Sequence, residues 1–207
     1  MILDATATTG NTEERIKNAA RIVFLEKGLD GARTQEIANL AEVNHSLIPY
    51  YFKSKQKLFD IVLVEALNAF VGRIDKIVND GLTDFETKVY RLVDCYSEMV
   101  IESPHLPLYS ITIMRKRNSK VLNFTKQMRN MLYLSVMARQ LKQEVEDGKF
   151  KPTTIAHVLM NLMGLTIFPA LAAPILKTMG DIKEEPYKQL IESRRKHIAD
   201  WVLYTLR

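Results

Sequence analysis

Cysteine occurs once in the 207 residues, at Cys95, so no disulfide can form within the chain. That scarcity is the usage of a reducing compartment, and a cytoplasmic home is expected. Cys95 falls in an apolar helical stretch, where a buried small hydrophobe outweighs a redox sensor. Glycine, at 8, and proline, at 7, are sparse, while Leu, Ala, Lys and Glu are plentiful. No segment alternates polar and apolar residues as a half-buried strand would, and no internal repeat is present. An all-α fold is expected. The four histidines, His45, His105, His157 and His197, lie far apart with no ligand-type partner four residues on. With no cysteine pair either, no metal site is expected. No glycine-rich phosphate loop and no catalytic constellation occur, so neither a cofactor nor enzyme activity is expected. The opening MILDATATTGN has no basic region before its short apolar start, which excludes a secretory signal.

Charge of one sign is also not concentrated where a nucleic-acid binder would want it. The chain carries +5 overall, but residues 1–57 hold eight Lys/Arg against seven Asp/Glu. Only the cluster Lys53, Lys55, Lys57 is informative, by position rather than by charge.

What is present is one stretch that organises the rest, TQEIANLAEVNHSLIPYYFKSKQK, from Thr34 to Lys57. Thr34 is placed to cap a helix whose first turn holds Gln35 and Glu36, with Ile37, Ala38 and Ala41 as its apolar face. Glu42-Val43-Asn44 interrupts the pattern, and Asn44 can cap a second helix opening at His45. This is the outline of a helix-turn-helix, whose second helix would enter the DNA major groove. Hairpins of this kind also occur in other small helical bundles, so the context has to decide. Upstream, Thr12-Glu13-Glu14-Arg15 opens a helix with the stripe Ile16, Ala20, Val23 and Phe24. Gly28 stands where a left-handed residue would end that helix, with Leu29 folding back as in a Schellman motif. Downstream, Tyr50-Tyr51-Phe52-Lys53-Ser54-Lys55 leads into a long helix capped by Ser54.

From Thr12 to Phe59 the sequence TEERIKNAARIVFLEKGLDGARTQEIANLAEVNHSLIPYYFKSKQKLF resembles the TetR family of bacterial transcription regulators without a gap. The resemblance covers about a quarter of the chain. It implies that Arg33, Thr34, Asn44, His45, Ser46, Leu47, Tyr50, Tyr51, Lys53 and Lys55 are the DNA-binding residues. His45, Ser46 and Leu47 would face bases, Thr34 and Tyr50 or Tyr51 the backbone, and Lys55 a phosphate. Two positions depart from the family pattern. Glu42 stands where the turn usually has glycine. Pro49 stands where an aromatic residue commonly touches the DNA backbone. Its missing N–H cannot reach the His45 carbonyl, so the recognition helix is expected to be little more than one regular turn and then distorted.

About nine helices are expected in all. One runs from Ser54 to about Asn79 and joins the head to the remainder without a flexible linker. Thr83-Asp84-Phe85-Glu86 reads as a capping box for the next. After the break at Ser103-Pro104, a short segment leads to the basic cluster Arg115-Lys116-Arg117. Ser119–Asp147 reads as one long helix, and a helix from Lys151-Pro152 runs to about Leu176. The last opens at Glu184-Glu185-Pro186. The segment from Ile155 to Leu176 has the length and apolarity to span a membrane. His157, Asn161, Pro169 and Pro174 argue for a buried helix instead, and no membrane partner is expected.

The family resemblance implies that the last two long helices pair with their twins in a homodimer. Leu162 and the series Leu190, Arg194, His197, Trp201 would form that interface; a monomer core is the alternative. It implies also that Cys95, Tyr96, Met99, Tyr109, Met114, Phe124, Met128, Met131, Met163 and Phe168 surround an effector pocket, although such a stripe is equally a core. The expected organisation is an arm over 1–11, a helix-turn-helix head over 12–57 and an effector-binding and dimerisation domain over 58–207. The expected function is a homodimeric repressor that binds a palindromic operator in double-stranded DNA and is released by a small apolar or amphipathic effector. An activator, or a nucleoid- or division-associated protein, would use the same head. A helical small-molecule binding protein or an enzyme is the reading from another class.

Overall fold

The structure, a computed structural model, describes residues 11–115 and 119–207, side chains at 113, 114 and 119–123 excepted. Residues 1–10 of the N-terminal arm and Lys116 and Arg117 therefore lie outside the described residues, as does the side chain of Met114. Eleven helices and no strand occur among the described residues. They are α1 (Thr12–Gly31), α2 (Thr34–Leu40), α3 (Leu47–Phe52), α4 (Lys55–Val78), α5 (Phe85–Glu102), α6 (Leu106–Met114), α7 (Ser119–Tyr133), α8 (Val136–Glu146), α9 (Ile155–Leu171), α10 (Ala173–Gly180) and α11 (Glu184–Leu206). The chain divides into two compact units, Met1–Leu67 and Asn68–Arg207. The division falls inside α4, so the first half of that helix belongs to the head.

The head is built from α1 to α3 and the start of α4. Asn11 caps α1, accepting from the Glu13 N–H, and Ile16, Ala19, Ala20, Val23 and Phe24 form its buried stripe. Phe24 meets Phe59 of α4 edge to face at 5.0 Å. At Gly28 the backbone takes φ 67° and ψ −174°. The φ is positive as expected, but this ψ is far from the left-handed helix and belongs to a region open essentially to glycine alone. A Schellman turn is thus not made at Gly28; the chain kinks there and adds one more turn.

That motif appears instead at the end of α2. The Val43 N–H reaches the Ala38 carbonyl at 3.0 Å, and the Glu42 N–H reaches Asn39 at 3.1 Å. These are the two bonds of a Schellman turn, with Glu42 as its left-handed residue at φ 52°. Arg33, not Thr34, is the N-cap of α2, and it supplies no side-chain bond.

Residues 68–207 contribute the second core. α5 packs against both α9 and α11, which also pack on each other. Val89, Leu92, Val93, Val158, Leu162, Ile198 and Val202 are buried there. Asp84 caps α5 through the Thr87 N–H, one residue later than the expected box. Thr83 is used otherwise. Its carbonyl accepts from Gln140 and, with its hydroxyl, from the ammonium of Lys88, a fully buried lysine whose pKa is lowered by desolvation.

Two expected long helices are each broken once. Ser135 turns extended and caps α8 by accepting from the Ala138 N–H at 3.0 Å, while its hydroxyl donates to Leu132. A serine that serves both helix ends ends one and starts the other. The segment before Leu176 starts at Ile155, capped by Thr154, and bends by 68° where α9 gives way to α10. Pro174 near the start of α10 can offer no N–H to the preceding turn. The Tyr187 hydroxyl donates to the Pro169 carbonyl in the last turn of α9, meeting one acceptor that a helix end leaves open. Among the described residues no single helix is long and apolar enough to cross a membrane.

Candidate nucleic-acid interface

The tip of the head is made by the turn after α2 and by α3. Ile48 and Phe52 are buried and anchor α3 to the head, together with Ile37 and Ala38 of α2. This leaves His45, Ser46, Tyr50, Tyr51 and Lys53 exposed, with Leu47 half-buried. Tyr50 is 77 % exposed and meets Tyr51 edge to face at 5.1 Å. Ser46, not Asn44, is the N-cap of α3 and supplies no side-chain cap bond; Asn44 instead makes an Asx turn before it, its Oδ1 accepting from the Ser46 N–H at 2.9 Å and the Ser46 hydroxyl at 2.8 Å. Helical geometry begins only at Leu47.

The expected distortion at Pro49 does not occur. The Leu47 N–H bonds the Asn44 carbonyl at 2.9 Å, and the Ile48 N–H bonds His45 at 3.2 Å. These tighter, three-residue bonds give the His45 carbonyl the partner that Pro49 cannot supply. Pro49 is then the third residue of α3, in the first turn, where helical N–H groups have no partner to lose. The helix is short, as expected, but regular. It ends at Lys53, with φ 65° and ψ −40°. The Ser54 N–H bonds the Phe52 carbonyl at 2.8 Å, which makes Lys53 the centre of a positive-φ γ-turn, the rare and strained kind.

Three polar ties hold this tip. Arg15 of α1 donates to the Ala41 carbonyl at 2.6 Å and to the Glu42 carbonyl at 3.1 Å, closing the end of α2. Lys55 donates to the Ala32 carbonyl at 3.1 Å and is half-buried, so the structure engages it within the head. Thr34, the first residue of α2, meets His45 with 2.8 Å between its hydroxyl and Nε2. Behind the tip, Glu65 of α4 pairs with Lys17 at 2.8 Å and Arg21 at 2.9 Å. The Lys17 hydrogen bond holds the Glu65 carboxyl below the ordinary carboxylate range, and Glu14 and Glu65 hold the Lys17 ammonium above its own.

An exposed, turn-led short helix buttressed by two others is a helix-turn-helix presented to a groove. The profile of "Bacterial regulatory proteins, tetR family" matches residues 16–62, which span this whole arrangement. Residues 16–62 thus carry the DNA-binding domain of the tetR family. It is 28 % identical over 163 residues to the transcriptional repressor NicS of Pseudomonas putida, covering 76 % of this chain and 74 % of that one. In fold it is similar to the regulator FadR of Bacillus subtilis, crystallised with stearoyl-CoA, at 16 % identity and a TM-score of 0.58 over 94 % of this chain and 99 % of that one. A TetR/AcrR regulator of Thermobifida fusca gives 15 % identity and 0.62, over 92 % and 97 %. With that head the chain is a DNA-binding regulator of transcription rather than an enzyme.

In the second unit the residues expected around an effector pocket separate. Cys95, Tyr96 and Met99 are buried on the inner face of α5, and burial raises the pKa of the Cys95 thiol. Tyr109, Phe124, Met128 and Met131 are half-buried. Met163 and Phe168 point outward, Phe168 being 62 % exposed, because Leu159, Leu162, Thr166 and Pro169 occupy the inner positions of α9. Their side chains lie on the outer face of α9 rather than inside the bundle, contrary to expectation. A cleft of about 350 Å³ opens elsewhere, between α8 and the start of α9, lined by Leu141, Lys142, Val145 and Ile155 among others.

The expected dimer series divides too. Leu162 is fully buried among the protein's own helices and has no surface to offer a partner. Leu190, His197 and Trp201 are exposed along α11; His197 stacks on Trp201 at 5.9 Å and the Arg194 guanidinium lies 5.3 Å from its ring centre. Tyr204 extends that series one step further, and Met160, Met163 and Phe168 are exposed on neighbouring α9. Tyr204 was findable, since it follows Trp201 at helical spacing. Arg15 was not, because its acceptors are backbone carbonyls 26 and 27 residues away.

Proposed function

We propose that the protein is a homodimeric repressor that binds a palindromic operator and is released by a small apolar or amphipathic effector. The observation that carries the DNA-binding part is the exposed cluster His45, Ser46, Tyr50 and Lys53 on a buttressed three-helix head. In this reading His45, Ser46 and Leu47 face base edges, and Thr34 and Tyr50 or Tyr51 touch the backbone. The phosphate-neutralising role falls to exposed Lys53, because Lys55 is held by the Ala32 carbonyl. Two heads of a symmetric dimer would meet successive major grooves, roughly 34–36 Å apart.

The dimer reading is supported by the exposed apolar faces of α9 and α11, which lie side by side and include Met160, Phe168, Leu190 and Trp201. An aromatic residue flanked by arginine is a common centre for such a surface. The effector reading is supported by half-buried Phe124, Met128 and Met131 on α7, an adaptable apolar set. The acyl chain bound by the similarly folded FadR belongs to the same chemical class. Such a ligand must favour one head arrangement over another; turning 99:1 occupancy into 1:99 takes about 5.5 kcal/mol across the dimer.

The deciding experiment is selection of bound duplexes from a random DNA pool by the full-length protein, followed by binding at two salt concentrations. A palindromic consensus with salt-sensitive affinity is expected. Binding without any selected sequence would replace the repressor reading with a nucleoid-associated one.

A further inference from the structure

We propose that Thr34 is a specificity-determining residue that acts through His45, by fixing which edge of the imidazole meets the bases. The inference rests on the reading of His45 as a base-facing residue and concerns how that residue is held.

Thr34 opens α2, and His45 lies eleven residues on, in the turn that starts α3. Their side chains meet with 2.8 Å between the Thr34 hydroxyl and His45 Nε2, on the exposed tip. A solvent-exposed bond between neutral groups adds little to stability, since water competes for both partners. Its effect is geometric. A surface histidine would otherwise turn about its side-chain torsions and present either ring nitrogen. With Nε2 engaged, Nδ1 is the ring nitrogen left for DNA. Asn44 Oδ1 does not compete for it, being taken by the N–H and hydroxyl of Ser46.

The proton count then links the backbone contact to base readout. The Thr34 hydroxyl has one hydrogen to give. If it gives that hydrogen to a phosphate, it can only accept at His45, so Nε2–H must be the donor. In a neutral ring Nδ1 is then an acceptor, suited to the amino group of adenine N6 or cytosine N4. If Thr34 instead donates to Nε2, Nδ1 carries the hydrogen and suits guanine O6 or N7, adenine N7 or thymine O4. Thr34 engaged on a phosphate selects the first arrangement. A residue that never touches a base thereby sets what its neighbour reads.

The test measures base preference at every operator position for the full-length wild type, Thr34→Val, Thr34→Ser, His45→Ala and the Thr34→Val/His45→Ala double variant, with helicity and melting confirmed for each. His45→Ala marks the base pair concerned by a loss of discrimination there of roughly tenfold. Thr34→Val, which keeps the shape but removes donor and acceptor, is expected to lose discrimination roughly three- to tenfold at that same base pair. Thr34→Ser should restore it. In the His45→Ala background Thr34→Val should change no preference further, as two steps of one device must behave. The inference is overturned if Thr34→Val lowers affinity for all sequences alike and leaves preferences intact, which would make Thr34 a phosphate contact only. A wild type with no base preference at that position overturns it together with the base-facing role of His45.

Discussion

Two side chains in the head occupy backbone conformations in which glycine is the ordinary choice: Glu42 at φ 52° and Lys53 at φ 65°. A Cβ there costs roughly 1–2 kcal/mol. At Glu42 nothing offsets it strongly, since its carboxylate is exposed and only 3.5 Å from Arg15, an interaction that salt and water weaken. The Arg15 bonds to the turn run to backbone carbonyls and survive substitution. Glu42→Gly is therefore expected to raise head stability by about 1 kcal/mol with DNA affinity unchanged, measured by urea unfolding and by titration against the selected operator. Lys53 should behave differently. Lys53→Gly relieves a strained γ-turn yet removes the proposed phosphate contact. It is expected to unfold at higher urea while binding every sequence more weakly, with the salt slope reduced by about one unit. A variant that lost affinity only through lost stability would contradict the assignment.

At the scale of elements, α1 is tied to α4 through one carboxylate. Glu65 accepts from Lys17 and Arg21, and the Lys17 bond lowers its pKa below the ordinary 4.5. A group lowered on folding adds stability that is complete above its ordinary value and lost as pH falls through the lowered one. Glu65→Gln should thus narrow the stability difference between pH 7 and the acid side of 4.5, compared with the wild type in parallel urea melts. An unchanged difference would mean that the pair contributes nothing to the head. The same economy explains α3. Its proline is harmless because two tighter turns precede it, and the helix runs from its cap at Ser46 to Lys53.

For the whole molecule, the exposed faces of α9 and α11 carry the prediction about assembly. Trp201→Asp places a charge where an aromatic ring, Arg194 and His197 now form a stack. Monomers that remain helical but bind the palindrome poorly are expected in sedimentation and DNA titration. A dimer of unchanged strength would move the interface away from α11. The effector prediction belongs to the second unit. Met128 is half-buried on α7, so Met128→Trp has room to enter the proposed lining without displacing a fully packed core residue. It should alter either operator affinity or release by long-chain acyl ligands. Normal values for both would relocate the pocket, the cleft between α8 and α9 being the next place to test.

Periodicity and composition alone determined the all-helical fold, because sparse glycine and proline and apolar residues three and four apart leave an amphipathic chain few other ways to bury its surface. The head was legible for a second reason: its apolar stripes are local, so Ile16, Ala20, Val23, Phe24, Ile37 and Ala38 declare their roles within a few residues. The breaks at Ser135 and Ala172 were harder to see, since serine and proline inside an apolar run stop a helix only when packing rewards a new direction. Helical phase decided Met163, Phe168 and Leu162. All three are apolar, and only the placement of α9 against α5 and α11 shows which of them faces inward. The ties of Arg15 to Ala41, Lys55 to Ala32 and Thr34 to His45 join residues 11 to 26 positions apart. Distance and direction between helices, which no local pattern encodes, settled those.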